Sequence, residues 1–130
     1  MKRNHFLIIS ALIAWLFGLM MIFVPDKALD TGSATNLAMQ MFGVALFSIG
    51  IINFFSRNDP GSKALKAVMF GNIILHLAGE AFDIYDYSAG FIQLSNILAS
   101  GIIHILLLAG FMYYFVKIPK NPAPESKEIV

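Results

Sequence analysis

Four long apolar runs, separated by short polar segments, dominate the hydrophobic pattern of the chain. They cover about residues 6–24, 37–56, 64–85 and 91–116, and a helix needs roughly 20 apolar residues to cross a bilayer. Polar backbone groups in lipid must be satisfied within their own segment, so each run is predicted to be a helix. The pattern therefore predicts an all-α integral membrane protein, an antiparallel four-helix transmembrane bundle.

Short turn-like segments connect the runs. Residues 25–36 contain Pro25 and Gly32, residues 86–90 predict a tight hairpin, and Asp59–Gly61 has the sequence of a turn. Ser62 follows that turn and is a candidate N-cap for the third helix. Short connections make successive helices antiparallel neighbours.

Lysine and arginine predict the orientation in the membrane. If the four runs all cross the bilayer, only Lys27 falls on one side, and the other side carries Lys2, Arg3, Arg57, Lys63, Lys66, Lys117, Lys120 and Lys127. Positive residues favour the cytoplasm, so both termini are predicted to be cytoplasmic. Residues 1–118 form the predicted transmembrane domain, and the proline-rich segment 119–130 is predicted to be a disordered cytoplasmic tail.

Composition supports the membrane assignment. Apolar residues make up 58% of the chain, against about 45–50% in a typical soluble domain. The formal net charge of +1 gives no reason to expect a nucleic-acid partner. The chain contains no cysteine, which excludes disulfides, thiolate metal sites and cysteine nucleophiles.

Small residues predict where helices come close together. Ala14-x-x-x-Gly18 and Ala67-x-x-x-Gly71 are small-xxx-small patterns, which allow membrane helices to approach closely. Packing within the chain is the preferred interpretation, and a homo-oligomer or a membrane protein partner is the alternative. Trp15 falls in the middle of the first run, where we expect it to pack against a neighbour or lipid.

Two polar stripes are the main candidate for chemistry. The third run carries one stripe at Asn72, His76, Glu80 and Asp83. The fourth run carries another at Gln93, Asn96, Ser100 and His104. At 100° per residue, the residues of each stripe lie within an arc of about 80° around the helix axis. If the stripes face each other, they form a polar pocket that opens to the outer side, with the histidines near the midplane.

The preferred function is an accessory membrane protein that handles a small ligand or protons in this pocket. The proposed pocket residues are Asn72, His76, Glu80, Asp83, Asn96, Ser100 and His104. A charge at the bilayer centre costs about 2.5–3.5 kcal/mol, so ionisable residues there indicate function. Glu80 is a better candidate for proton uptake than Asp83, which is closer to the membrane surface.

Several alternatives stay open. His76, Glu80 and His104, with Asp83 nearby, offer nitrogen and oxygen ligands for zinc or iron. The two histidines alone could be axial ligands of a haem in an enzyme or redox subunit. The stripes could also only hydrogen-bond the helices together. The sequence contains no H-E-x-x-H, phosphate-binding loop or nucleophile elbow, so enzymatic activity stays open.

A second candidate site is a basic rim on the cytoplasmic side. Arg57, Lys63 and Lys66 could bind a lipid headgroup, although simple anchoring at the interface is the plainer interpretation.

The first half of the chain resembles a known group of proteins. It contains Gly18-Leu-Met-Met-Ile-Phe-Val-Pro25, a short polar loop, Gly43-x-Ala-Leu and Gly50-Ile-Ile-Asn53, and it ends at Arg57. This pattern is similar to that of DoxX-like proteins and related small bacterial four-helix membrane proteins. The resemblance implies a multi-pass protein of the bacterial inner membrane, and it transfers no functional residue.

Overall fold

The computed structural model describes residues 1–24 and 33–119, except for the side chains of 33–36, 96 and 99. Its elements are α1 (Arg3–Phe23), α2 (Ser33–Phe55), a 3-10 turn (Ser56–Asn58), α3 (Lys63–Ser88) and α4 (Leu94–Lys117). The predicted all-α class with four helices is confirmed, and the described part contains no strand. All four helices are long and apolar enough to cross a membrane. The predictions for Lys27 and for the tail beyond residue 119 lie outside the described residues.

The chain divides into two compact units. Hairpin A comprises residues 1–58, with α1 against α2, and hairpin B comprises residues 59–130, with α3 against α4. In each hairpin, contacts pair the start of one helix with the end of the other, so the two helices are antiparallel.

In hairpin A, the backbones of α1 and α2 approach each other closely at two glycines. A Cβ on Gly18 would lie 2.8 Å from the carbonyl oxygen of Gly43, and a Cβ on Gly43 would lie equally near the oxygen of Gly18. The close contact predicted from Ala14-x-x-x-Gly18 is therefore confirmed. The second pattern behaves differently, because Gly71 has no atom within 4 Å of where its Cβ would be. The α3–α4 contact does not use the Ala67–Gly71 face.

Trp15 packs within hairpin A, as predicted. Its ring lies 6.1 Å from that of Phe47 and 5.4 Å from that of Phe54, between ring centroids. It also covers Gly50, where a Cβ would come within 2.6 Å of the indole. Between the first half of α1 and the end of α2, the buried Asn53 amide donates to the Ser10 hydroxyl at 3.4 Å.

A hydrogen-bonded turn begins hairpin B. The Asp59 carboxylate accepts from the backbone N–H groups of Gly61 and Ser62 and from the Ser62 hydroxyl. The Ser62 oxygen in turn accepts from the backbone N–H of Leu65 at 3.1 Å, so its predicted role as N-cap is confirmed. Gly61 has a φ of +131°, which disfavours any residue with a side chain.

The α3–α4 connection lies later in the sequence than predicted. Helix α3 continues to Ser88, and α4 begins only at Leu94, with Gln93 as its N-cap. The reason is a Schellman-type C-cap, in which Gly90 adopts a φ of +77° and donates to the Tyr87 carbonyl. Phe91 completes it by donating to the carbonyl of Asp86. Gln93 is therefore not part of a helical stripe.

Large apolar side chains are exposed on all four helices and in the α3–α4 connection. At most a third of each candidate span is buried. Phe23, Phe55, Phe91 and Val116 each expose more than two thirds of their surface. Extended apolar surfaces of this kind mark contact with lipid or with other protein.

Candidate functional site

The antiparallel arrangement of α3 and α4 brings most of the two polar stripes together. Asp83 lies level with Ser100, Glu80 with Gly101, and His76 with His104. The site therefore extends along the helix contact from the interior of the hairpin toward the α3–α4 connection. It lies entirely within hairpin B.

A direct contact between two imidazole rings forms the deepest part of the site. His76 Nδ1 lies 3.0 Å from His104 Nδ1, and the ring centroids are 5.2 Å apart. A hydrogen bond at this distance requires one Nδ1 to carry a proton and the other to accept it. The two rings must therefore be in different tautomers when both are neutral.

Packing holds both rings in place. His76 is 7% exposed, and its ring stacks on that of Phe111 at 5.7 Å with an interplanar angle of 19°. His104 occupies the space beside Gly79, where a Cβ would lie 2.7 Å from its Cε1 atom. The absence of a side chain at Gly79 is thus what lets the second imidazole reach the first.

Glu80 packs beside Gly101 of α4. A Cβ on Gly101 would come within 3.2 Å of Glu80 Oε2. This oxygen is buried and has no hydrogen-bond partner in the part of the chain that the structure describes. A buried acceptor without a donor carries a desolvation penalty of about 1–3 kcal/mol. A hydrogen-bond donor bound beside Glu80 would lower that penalty.

Asp83 and Ser100 form the part of the site nearest the connection. The Ser100 hydroxyl donates to Asp83 Oδ2, so a hydrogen bond joins the two helices here. Asn72, at the other end of the stripe, is buried, and its amide donates to the Val68 carbonyl at 2.8 Å within α3. Asn96 lies in α4, but its side chain is outside the described atoms.

The predicted metal ligands form a partial set. His76 and His104 contact each other directly. Within residues 1–24 and 33–119, no group of three His, Asp or Glu side chains is arranged to hold a metal ion. A haem between the two histidines would need the rings to separate, because their Nδ1 atoms lie 3.0 Å apart and leave no room for an iron atom between them.

The predicted basic rim is divided between the two hairpins. Arg57 lies in the 3-10 turn of hairpin A, with its guanidinium 3.8 Å from the centre of the Phe54 ring. Lys63 and Lys66 lie in the first turn of α3, in hairpin B. Lys63 is exposed and Lys66 is half-buried.

Three residues that shape the site were not assigned to it from the sequence. Phe111 stacks on His76, and Gly79 and Gly101 receive side chains from the opposite helix. The glycines were visible only as small residues in apolar runs. Their sequence positions, next to Glu80 and three residues before His104, were the available signal.

No protein-family model matches this chain, and no curated protein or solved structure is significantly similar to it.

Proposed function

We propose that the chain is an integral membrane protein with four antiparallel spanning helices and cytoplasmic termini. Four sufficiently long, apolar helices and their apolar outer faces support this proposal. The lysine and arginine distribution supports the orientation. We also propose that the two hairpins form one four-helix bundle in the bacterial inner membrane. The proposal includes the resemblance to DoxX-like proteins.

Single cysteines test the orientation, because the natural chain has none. An impermeant thiol reagent on intact cells should label Thr31→Cys and should label Ser62→Cys only after the membrane is opened. The opposite labelling order would contradict the proposed topology.

We further propose that the α3–α4 cluster takes up and releases protons within the membrane. The observation that carries this proposal is the Nδ1–Nδ1 contact of His76 and His104 beside the unpaired buried oxygen of Glu80. Three ionisable side chains in one apolar hairpin are costly to insert, and such residues typically belong to ion or proton pathways.

The imidazole pair has the connectivity of a proton relay. In the neutral pair, one ring carries its proton on Nδ1 and the other on Nε2. A proton added to the free Nε2 makes the first ring an imidazolium. That ring can then pass its Nδ1 proton across the 3.0 Å contact to the second ring, which releases its own Nε2 proton. One proton enters, one leaves, and the two rings exchange tautomers.

Proton flux in reconstituted liposomes tests this function. His104→Asn should abolish flux while preserving the contact, because the asparagine amide can replace Nδ1 as a hydrogen-bonding group but cannot relay a proton. Glu80→Gln should reduce flux if the carboxyl is part of the path. Asp86→Asn removes a carboxylate from the last turn of the same helix and is the matched control, expected to behave as wild type.

The alternative roles give different results. Flux equal to that of empty liposomes in well-folded wild-type protein would overturn the proposal and favour a structural polar network. A metal or haem role predicts stoichiometric iron or zinc in the purified protein, lost in His76→Ala/His104→Ala, which elemental analysis measures directly.

A further inference from the structure

We propose that the ionisable cluster of hairpin B exchanges protons only toward the α3–α4 connection, because an apolar layer at Phe111 closes its other end. This proposal concerns the regulation of the same site and rests on the proton function proposed above. Protons reach the histidines through half of the hairpin, and displacement of the Phe111 ring is the step that lets them continue.

The polar groups of the site lie in order along the α3–α4 contact. The hydrogen bond between Ser100 and Asp83 is nearest the connection, Glu80 follows on α3, and the imidazole pair comes next. Asp83, Glu80 and His76 recur at successive helical turns, and one turn rises about 5.4 Å. A single water molecule can bridge a gap of this size between polar groups. The three residues nearest the connection are only half-buried, so water can reach them from that side.

The imidazole pair is oriented along the hairpin. The His104 ring fills the space beside Gly79, which is about one turn nearer the connection than His76. The His76 ring instead stacks on Phe111, which lies about two turns beyond His104 on α4. The Nδ1–Nδ1 contact therefore leads from His104 on the connection side to His76 on the opposite side.

Beyond His76, the buried side chains of hairpin B are mostly apolar. Those that the structure describes there are Leu65, Met69, Asn72, Leu107, Phe111, Tyr114 and Ile118. None of these seven carries a carboxyl, amino or imidazole group. The Asn72 amide donates to the Val68 carbonyl within its own helix, and an amide does not relay protons. Phe111 and Met69 are both 0% exposed, so the series of proton carriers is interrupted next to His76.

Such a layer blocks protons because it excludes water. A buried water molecule needs about two to four polar partners, which an apolar layer does not provide. Hydrophobic constrictions close membrane pores by the same dewetting. The Phe111 ring also lies nearly parallel to that of His76, with an interplanar angle of 19°, and covers one face of the imidazole. Movement of this one ring would uncover His76 and make room for water beside it.

Single cysteines measure access to the site independently of proton transport, because the natural chain contains none. The probe is the impermeant thiol reagent trimethylammonium-ethyl methanethiosulfonate, applied to intact cells and, separately, to inverted membrane vesicles. Tyr87→Cys, which is exposed in the last turn of α3, identifies the preparation in which the reagent reaches the connection.

Ser100→Cys and Leu107→Cys lie on the two sides of His104 in α4 and form the matched pair. With the reagent on the connection side, Ser100→Cys should react, and Leu107→Cys should react at least about tenfold more slowly. The reason is that a closed position reacts only from a minor conformation, typically populated at about 0.1–10%. With the reagent on the other side, neither cysteine should react.

Two substitutions of Phe111 test the gate itself in the Leu107→Cys background. Phe111→Ala removes the ring and should raise the rate of modification at least about tenfold, because the closed state no longer dominates. Phe111→Leu keeps the space apolar and should keep the slow rate. Large-to-small changes in a core are destabilising, so circular dichroism checks that each variant is folded. The comparison of Ser100→Cys with Leu107→Cys retains Phe111, so it decides the question even if the alanine variant does not fold.

The outcomes separate the gate from the proton function. Equal rates for Ser100→Cys and Leu107→Cys would overturn the one-sided access, whatever the liposomes show. An unchanged rate in folded Phe111→Ala would overturn the role of Phe111. The expected labelling pattern without proton flux in wild-type liposomes would support the closed layer and overturn the proton function alone.

Discussion

Replacing Gly79 by alanine should disrupt the histidine contact by direct collision. The new Cβ would lie 2.7 Å from His104 Cε1 and 3.1 Å from its Nδ1 and Nε2 atoms. The ring cannot keep its position, because distances below 3.0 Å between such atoms require movement. Overpacking of this kind costs about 1–3 kcal/mol. Alanine itself favours the helix by about 0.5–1 kcal/mol over glycine, so the measured loss would be smaller than the steric cost.

Gly71→Ala provides the matched control on the same helix. No atom lies within 4 Å of its added Cβ, so this variant should show only the gain in helix propensity. The difference in the free energy of unfolding between the two variants therefore isolates the collision, at about 1–3 kcal/mol.

Two measurements check this prediction. Denaturant unfolding of both variants in the same detergent, followed by circular dichroism, gives the difference in stability. Scalar coupling between the Nδ1 atoms in nitrogen-15 NMR reports the hydrogen bond, which should be present in Gly71→Ala and lost in Gly79→Ala. Equal stability of the two variants with coupling retained in both would refute the packing of His104 against Gly79.

Three further substitutions test other contacts by the same unfolding assay. Gly101→Ala should cost less than about 1 kcal/mol, because the new Cβ meets only a flexible carboxylate at 3.2 Å; a larger loss would mean that the carboxylate is fixed. Gly43→Ala should cost about 1–3 kcal/mol or more, because its Cβ would lie 2.8 Å from the backbone oxygen of Gly18, which cannot rotate away; wild-type stability would contradict the close approach of α1 and α2. Ser62→Ala should cost about 0.5–2 kcal/mol through the lost cap on Leu65, and Ser62→Asp should restore most of it; an alanine variant as stable as wild type would refute the cap.

The helices could be predicted from the sequence because lipid-length apolar runs and turn residues leave few alternatives. Ser62 was identifiable as an N-cap because its role depends on residues within one turn of it. The start of α4 could not be predicted in this way. The apolar run begins at Phe91 and so predicts helix there, but Phe91 instead belongs to the C-cap of α3, which forms through the positive φ of Gly90. Periodicity alone cannot weigh these two effects.

The polar stripes were identifiable, but their pairing was not. Helical spacing places His76 and Glu80 on one face of α3 whatever that face contacts. Which atoms meet depends on the axial shift between α3 and α4, and the helix contact sets that shift through the side chains that fit beside Gly79 and Gly101. For the same reason, the sequence alone could not distinguish Gly18, which packs closely, from Gly71, which does not, although both belong to small-xxx-small patterns.

Trp15 provides an optical probe that is confined to one hairpin. It is the only tryptophan in the chain, and all four tyrosines, at positions 85, 87, 113 and 114, belong to hairpin B. Its indole Nε1 is buried without a hydrogen-bond partner in the described structure, so solvent entry on unfolding should shift its emission strongly to the red. Tryptophan emission and tyrosine absorbance therefore follow the two hairpins separately. Unfolding midpoints that differ would show two independent cooperative units, and coincident midpoints would show that the hairpins unfold together.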